Sequence, residues 1–334
     1  MPLKNDIVLP IDVVIAWVDG KSPELAEKRN YYLNKGNLQN GHPGALPTHF
    51  ASINEIKYCL LSIFKFAPFV RNVFIVTDGQ DPNLWEDIKK YYPERINSVR
   101  IVDHKEIFEG YEEYLPVFNS MAIETMIWRI QGLAENFVYF NDDFILIKDL
   151  KPEDWFINGK PVLRGRWQTA PFLKLFRNSI RIAIKKHLQN NTCYQPRFSF
   201  YLSQWNAAVL LGMRFRYFFN CHTPYVYRLS IFKKFFSDNP DLLIKNISYR
   251  FRNQSQYNLT TLSYHLEIQS GNRNFAKLDR AYFHPSQSKN RISRNITKCE
   301  NNKSIKSICI QSLEMFGKDQ QEKIFNLLNR LLGI

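Results

Sequence analysis

NFVYFNDDFILIK, running from Asn136 to Lys148, is the stretch on which the reading of this chain turns. An aromatic and β-branched run, Phe137 to Phe140, stops at Asn141-Asp142-Asp143, and a second apolar run, Phe144 to Ile147, begins at once. Such residues fit the pleated, buried surface of a strand. Two adjacent carboxylates at the end of a buried strand are costly unless something positive meets them. A divalent cation carrying a substrate diphosphate would do so, because hard cations take carboxylate and phosphate oxygens together. The other reading is a plain strand-ending turn, where Asn and Asp bond their own backbone.

Upstream, the run 11–18 (IDVVIAWV) is almost wholly apolar and closes on Asp19-Gly20, as a buried strand entering a ligand-facing turn would. Ser22-Pro23-Glu24 offers a helix start, and a loop rich in Asn, Gly and Pro follows from Asn34 to Pro47. From Ile53 to Phe66 the apolar residues Ile56, Leu60, Ile63 and Phe64 recur at helical spacing, until Ala67-Pro68 stops them. Val73 to Thr77 reads as a strand ending in Asp78-Gly79-Gln80. Leu84 to Tyr91 reads as a helix, Val99 to Val102 as a strand and Ser120 to Ile130 as a helix. Strand and helix alternate up to the Phe137 run, which predicts an α/β fold: a mostly parallel sheet with helices on both faces. Ligands of such sheets sit beyond the carboxyl ends of the strands, and Asp19, Asp78 and Asp142-Asp143 all fall there.

Past Lys151 the alternation loosens into a basic, mainly helical portion. The expected division is an α/β, metal-binding half over 1–150 and a basic half over 151–334, forming one compact unit. Phe172 to Leu188 carries Leu173, Phe176, Ile180 and Ile184 at helical spacing, with Lys174, Arg177, Arg181 and Lys185 each one position further on. A basic amphipathic helix of this kind lies on a membrane surface, covers an anionic groove or packs on its own domain. Ile231–Phe236 and Ser263–Ile268 read as helices joined by polar connections, Lys289–Lys303 as a basic, Asn-rich loop, and Asp319–Leu332 as a closing amphipathic helix.

The chain has 334 residues, is 45% hydrophobic with 26 Phe and 17 Tyr, and carries a net charge of +14. That composition excludes a disordered protein. The charge is local: from Trp155 to Ser237 there is no Asp or Glu, against fourteen Lys and Arg. A field of that sign attracts phosphates, anionic lipid or polyanionic polymers; no recognised nucleic-acid motif is present, so nucleic acid is not an expected partner. The segment Met1–Pro10 is not signal-like, and no uncharged apolar window is long enough to span a bilayer. The five cysteines are scattered without a CxxC pair, which predicts reduced, cytoplasmic thiols.

Three later groups suit phosphate chemistry. His222 sits in Cys221-His222-Thr223-Pro224-Tyr225, two residues before a stiff proline, and histidine is the usual general base near neutral pH. A lone histidine is also a common structural residue. Arg250-Phe251-Arg252 sets two guanidinium groups on one face of an extended segment, where their forks would match phosphate oxygens or pair a core carboxylate. Glu314 follows a short apolar strand, Ser307–Leu313.

Together these pieces resemble the Stealth family of sugar-phosphate transferases. IDVVIAWVDG (11–20) resembles its first signature region. NEIKYCLLSIFKFAPFVRNVFIVTDGQ (54–80), DHKEIF (103–108) and LPVFNSMAIETMIWRIQGLAENFVYFNDDFIL (115–146) resemble the second. HTPYVYR (222–228) with FRNQSQYNLTTLSYHLEIQSG (251–271) resembles the third, and KSICIQSLE (306–314), more loosely, the fourth. The resemblance implies a nucleotide-sugar transferase core of GT-A-like form. It also implies transfer of a sugar 1-phosphate from a nucleotide-activated sugar, often UDP-linked, to an acceptor hydroxyl of a saccharide or growing polysaccharide. The family's acidic pair falls on Asp142 and Asp143, expected to hold Mg²⁺ or Mn²⁺ beside Asn141, with Glu314 as a further ligand. Its histidine falls on His222 and its arginine on Arg252; Asp19-Gly20 and Asp78 would lie by the nucleotide. The implied setting is bacterial capsule or exopolysaccharide synthesis in the cytoplasm, with peripheral contact at the inner membrane face. A metal-dependent glycosyltransferase that attacks the anomeric carbon is the alternative chemistry. The chain departs from the family pattern at His49, Leu61, Met126, Trp128, Gln256 and Gln311-Ser312.

Overall fold

The structure is a computed structural model that describes residues 9–35, 52–188 and 198–334. His49, Cys193 and most of the Asn34–Pro47 loop therefore lie outside the described residues. In chain order the elements begin with β1 (Ile11–Ala16), α1 (Pro23–Lys35), α2 (Glu55–Phe66), β2 (Val70–Thr77), α3 (Trp85–Tyr91), β3 (Val99–Asp103), α4 (His104–Ile107), α5 (Ser120–Met126), β4 (Asn136–Asn141) and β5 (Phe144–Leu146). There follow β6 (Phe156–Ile157), β7 (Lys160–Pro161), β8 (Leu163–Thr169), α6 (Phe172–Leu188), α7 (Phe200–Leu210), β9 (Arg216–Asn220), β10 (Tyr225–Arg228), α8 (Leu229–Asp238) and α9 (Pro240–Ile247). The chain closes with α10 (Leu259–Gln269), β11 (Phe275–Ala276), β12 (Arg280–Phe283), α11 (Lys289–Asn301), β13 (Ser307–Ile310) and α12 (Lys318–Leu332).

The central sheet has five strands in the order β10-β4-β1-β2-β3. β4, β1, β2 and β3 run parallel, with Ala16 in register with both Asn141 and Val76. Only β10 is antiparallel, Tyr225 lying opposite Tyr139. This is the mostly parallel α/β sheet that the alternating sequence predicts. β1 and β4 read as nearly unbroken apolar runs because both their faces are covered: Val13, Val14, Ile15, Phe137, Val138 and Phe140 are all fully buried. Asp12 is the exception inside β1. Its carboxylate is fully buried and accepts from Arg71 Nε (2.9 Å) and Nη2, from Asn72 N (3.1 Å) and from Ala134 N (2.7 Å). Such saturation is what lets a charge sit under a sheet.

Two later strands enter this framework. β10 completes the edge of the central sheet, and β13 pairs antiparallel with β5 and parallel with β12. Because β10 and β13 run against β4 and β5, the residues before β10 and after β13 come to the rim where β4 ends. A further sheet, β11-β8-β9, carries α6 and α7.

Three sequence readings need correction. Lys289–Asn301 is a helix, not a loop: Ser288 Oγ caps it by accepting from Arg291 N, Ile292 and Cys299 turn inward, Asn295 Nδ2 donates to Tyr282 O, and the Lys and Arg side chains face water. The connection after α8 contains helix α9, whose first residue, Pro240, tolerates the missing N–H there. Arg250 and Arg252 do not share one face of an extended segment. Arg250 is spent on the carbonyls of Tyr114, Pro116 and Glu113 and on the ring of Tyr32, whereas Arg252 bonds Ser120 Oγ at 2.9 Å.

Candidate active site

Beyond the carboxyl ends of β1, β2 and β4 lies a cleft of about 250 Å³, larger than the few-water voids of a packed interior. Asp78, Asn141, Asp142, Asp143, His222, Arg252 and Glu314 all line it. Asp19 and Gly20 are not among its lining residues. Asp19 is tied to the next turn instead, its N–H donating to Gln80 Oε1 (2.8 Å) while Gln80 Nε2 donates to its carbonyl (3.3 Å). Asp78 pairs with Lys28 of α1 at 3.1 Å.

The topology explains each arrival. β4 delivers Asn141-Asp142-Asp143 into a two-residue turn before β5. The antiparallel entry of β10 brings His222 to that rim. The antiparallel exit of β13 sets Ile310 N on the carbonyl of Asp143 (3.0 Å) and Cys309 Sγ 3.5 Å from Asp143 Oδ2, so that Gln311, Ser312 and Glu314 come next to the acidic turn. Ser312 holds φ 53°, a left-handed conformation that costs a non-glycine residue roughly 1–2 kcal/mol. Arg252 arrives on a loop fastened to the start of α5: Phe118 N donates to Arg250 O (2.8 Å), and Asn119 Nδ2 donates to Tyr249 O (2.9 Å) and Gln256 Oε1 (2.8 Å). Gln256, one of the departures from the family pattern, is fully buried and also donates to Asn246 O; it braces the loop.

Groups of both signs line the cleft. Burial raises Asp142 well above the usual carboxylate range, helped by Asp143 and Glu55, and raises Asp143 to about 7. Glu314 is also raised, first by burial and then by Glu55. Asp143 Oδ1 and both carboxylate oxygens of Glu314 are buried with no hydrogen-bond partner among the described residues. His222 also lines the cleft, stacked on Phe200 at 4.5 Å and 20° and flanked by the Tyr282 ring. Burial, then Arg280 and Arg252, push its imidazole down to about 4, so it is neutral at physiological pH.

Sequence reasoning missed Glu55, His104 and Glu124. Glu55 opens α2 and accepts from Ser52 Oγ and Ile53 N. His104 is buried and lines the cleft near Asp78. Glu124, on α5, is buried beside Tyr139 and near Arg252; burial raises it to about 7 while Arg252 pulls the other way. The one signal in sequence was a carboxylate at an inward position of an otherwise apolar helix, SMAIETM.

The donor chemistry fits a hard divalent cation. Among the described residues no three acidic, histidine or cysteine side chains form a ready cage. Mg²⁺, however, is commonly held by one or two carboxylates plus substrate phosphates, and unpartnered carboxylate oxygens of Asp143 and Glu314 line the cleft.

Comparison with known proteins agrees with the motifs. Stealth protein conserved region 1 matches residues 9–37, and conserved region 2 matches residues 49–162. The chain is 30% identical to the exopolysaccharide phosphotransferase cps2G of Lactiplantibacillus plantarum, over 76% of this chain and 74% of that protein. It is likewise 30% identical to the capsular polysaccharide phosphotransferase fcs1 of Haemophilus influenzae, over 95% of this chain and 82% of that one. Among solved structures, the galactosyltransferase LgtC in complex with donor and acceptor sugar analogs aligns over 96% of this chain and 95% of its own, with TM-score 0.44 and 11% identity. The class is that of a phosphotransferase enzyme built on an α/β sheet. The chain belongs to the Stealth family.

Proposed function

We propose that this enzyme transfers a sugar 1-phosphate from a nucleotide-activated sugar, UDP-linked, to a hydroxyl of a saccharide acceptor, and so forms a phosphodiester in a bacterial capsular or surface polysaccharide. Nucleotide-sugars of this kind set the reaction in the cytoplasm. The observation that carries the reading is the convergence, in one cleft, of three carboxylates (Asp142, Asp143, Glu314) with an imidazole and a guanidinium (His222, Arg252). A diphosphate held with a cation is the substrate group that needs both kinds of side chain.

In this reading the acceptor oxygen attacks the phosphorus that bears the sugar. The bond from that phosphorus to the bridging oxygen breaks, and the nucleoside monophosphate leaves with the electron pair. A ring nitrogen of His222 takes the acceptor's proton. Arg252 forks onto non-bridging oxygens, where positioning and fixed charge supply most of the catalysis of phosphoryl transfer. Asp142, Asp143 and Glu314 would hold Mg²⁺ or Mn²⁺, which supplies positive charge against the diphosphate. Asp78 and Asp19-Gly20 would sit toward the nucleotide.

The low proton affinity of His222 is consistent with this role. Burial is its largest cause and the cations Arg280 and Arg252 add to it; an anionic donor in the cleft would offset the cationic part. In this reading the imidazole gains basicity as the donor binds. The test is the nucleotide released from a UDP-sugar and a short saccharide acceptor: UMP supports sugar-phosphate transfer, and UDP indicates a glycosidic bond instead.

A further inference from the structure

Helix α6 is mounted inside out. Its half-buried residues are Leu175, Asn178 and Ile182. Leu175 packs on the cluster of Ala170, Trp205, Ala208, Tyr217 and Phe219, and Asn178 Nδ2 donates to Gln254 Oε1 at 3.2 Å. Leu173, Phe176, Ile180 and Ile184 instead face water, Leu173 being 73% and Phe176 65% exposed. At about 3.6 residues per turn these two stripes fall on roughly opposite sides of the helix. The apolar stripe therefore does not explain how α6 packs on its own domain. Phe215, whose carbonyl accepts from Ala170 N just ahead of the helix, is 76% exposed.

The charges narrow what covers this stripe. Arg177 and Arg181 follow it by one position at each turn and are exposed. Lys174 leans over the Tyr201 ring at 3.8 Å. No Asp or Glu occurs anywhere from Trp155 to Ser237. A soluble polyanion would satisfy the arginines but has no apolar layer in which to bury four large side chains. A second copy of this chain would bring the same uncompensated positive charge against itself. A bilayer with anionic headgroups answers both features, because the aliphatic and aromatic side chains enter the acyl boundary while Arg and Lys remain at the phosphates. No described helix is long and apolar enough to cross a membrane, so α6 would lie on the surface rather than span it.

We infer that α6 is a membrane-docking helix for anionic lipid, seated beside the Arg252 loop and the Phe200 ring that packs on His222. Asn178 reaches the Arg252 loop through Gln254, and Phe200, which packs on the same cluster as Leu175, stacks on His222. The bound bilayer would thus lie beside the catalytic cleft.

The test is sedimentation of the full chain with vesicles of phosphatidylglycerol and phosphatidylcholine in equal parts, against phosphatidylcholine alone. We expect capture by the anionic vesicles at about 0.1 M salt, and release as salt approaches about 1 M. The F176E/I180E and R177Q/R181Q variants should each weaken capture about tenfold or more. Transfer between soluble donor and acceptor should be unchanged in both, which shows that they are folded and that docking is separate from chemistry. Equal capture by phosphatidylcholine alone, or no capture, overturns the inference. So does a concentration-dependent dimer that F176E/I180E abolishes, or binding to soluble dextran sulfate that survives that variant. Sedimentation does not depend on which bond the enzyme forms, so its failure and a failure of the transfer reading are separately visible.

Discussion

The ring of Phe200 lies 4.5 Å from that of His222, within 20° of parallel, and this packing helps to keep the imidazole dry. Burial is the largest cause of its depression to about 4. Since kcat/KM follows the free enzyme and kcat the loaded one, at saturating Mg²⁺, which keeps Asp142 and Asp143 ionised, the His222 limb of kcat/KM should lie near pH 4 and that of kcat at higher pH, because a bound anion offsets Arg252. Phe200→Ala, by admitting water, should move the kcat/KM limb up toward 6.5. Steady-state pH profiles check both statements. The linkage has the same sign: the folded state binds fewer protons than the unfolded state between about 4 and 6.5, so stability falls as pH drops through that window.

His222→Ala should lower kcat by about a hundred- to ten-thousandfold without changing the melting temperature much. Turnover that survives the substitution removes the residue from the role of base.

Arg252→Lys keeps the charge but loses the fork, and should cost about a hundredfold or more in kcat with the fold intact. Arg250→Lys is the contrast. That guanidinium holds three backbone carbonyls, so the variant should lose about 2 kcal/mol of stability in denaturant titrations while turnover is largely kept.

How much of this was legible before the structure depends on where each residue's partners lie. The central strands could be read because burial on both faces leaves unbroken apolar runs, as in Val13–Ile15 and Phe137–Phe140. The acidic turn could be read because Asp142 and Asp143 interrupt such a run. Arg250 and Arg252 could not be told apart in sequence: what separates them is a set of carbonyls and a hydroxyl more than a hundred residues upstream. Glu124 was hidden because a glutamate in a short helix looks like a solvated one until packing shows which way it points. α11 was misread because most of its residues suit a loop, and its inward positions are few.

Glu124 itself gives a stability prediction. Its carboxyl is raised from 4.5 to about 7, mainly by burial, so the folded state holds its proton over a range where the unfolded state has lost it. Stability from this group is present below pH 4.5 and is lost as pH rises through 7. Glu124→Gln should therefore stabilise the protein by about 2 kcal/mol at pH 8 and by nothing below pH 4.5. Melting curves at the two pH values decide it.

Chelation of divalent cations should stop transfer, and added Mg²⁺ or Mn²⁺ should restore it. Asp142→Asn/Asp143→Asn should abolish both turnover and the change in the Mn²⁺ electron paramagnetic resonance signal on mixing with protein. Full activity in chelator would remove the acidic turn from metal binding.

The central claim is that the three carboxylates and the His222–Arg252 pair act together on a diphosphate so that the phosphorus, not the anomeric carbon, is attacked. Phosphorus NMR of the product from a UDP-sugar and a saccharide acceptor tests it most directly. A phosphodiester resonance coupled to both the donor's anomeric proton and an acceptor proton is the predicted result; a phosphorus-free disaccharide, with the diphosphate left on the nucleotide, would contradict it.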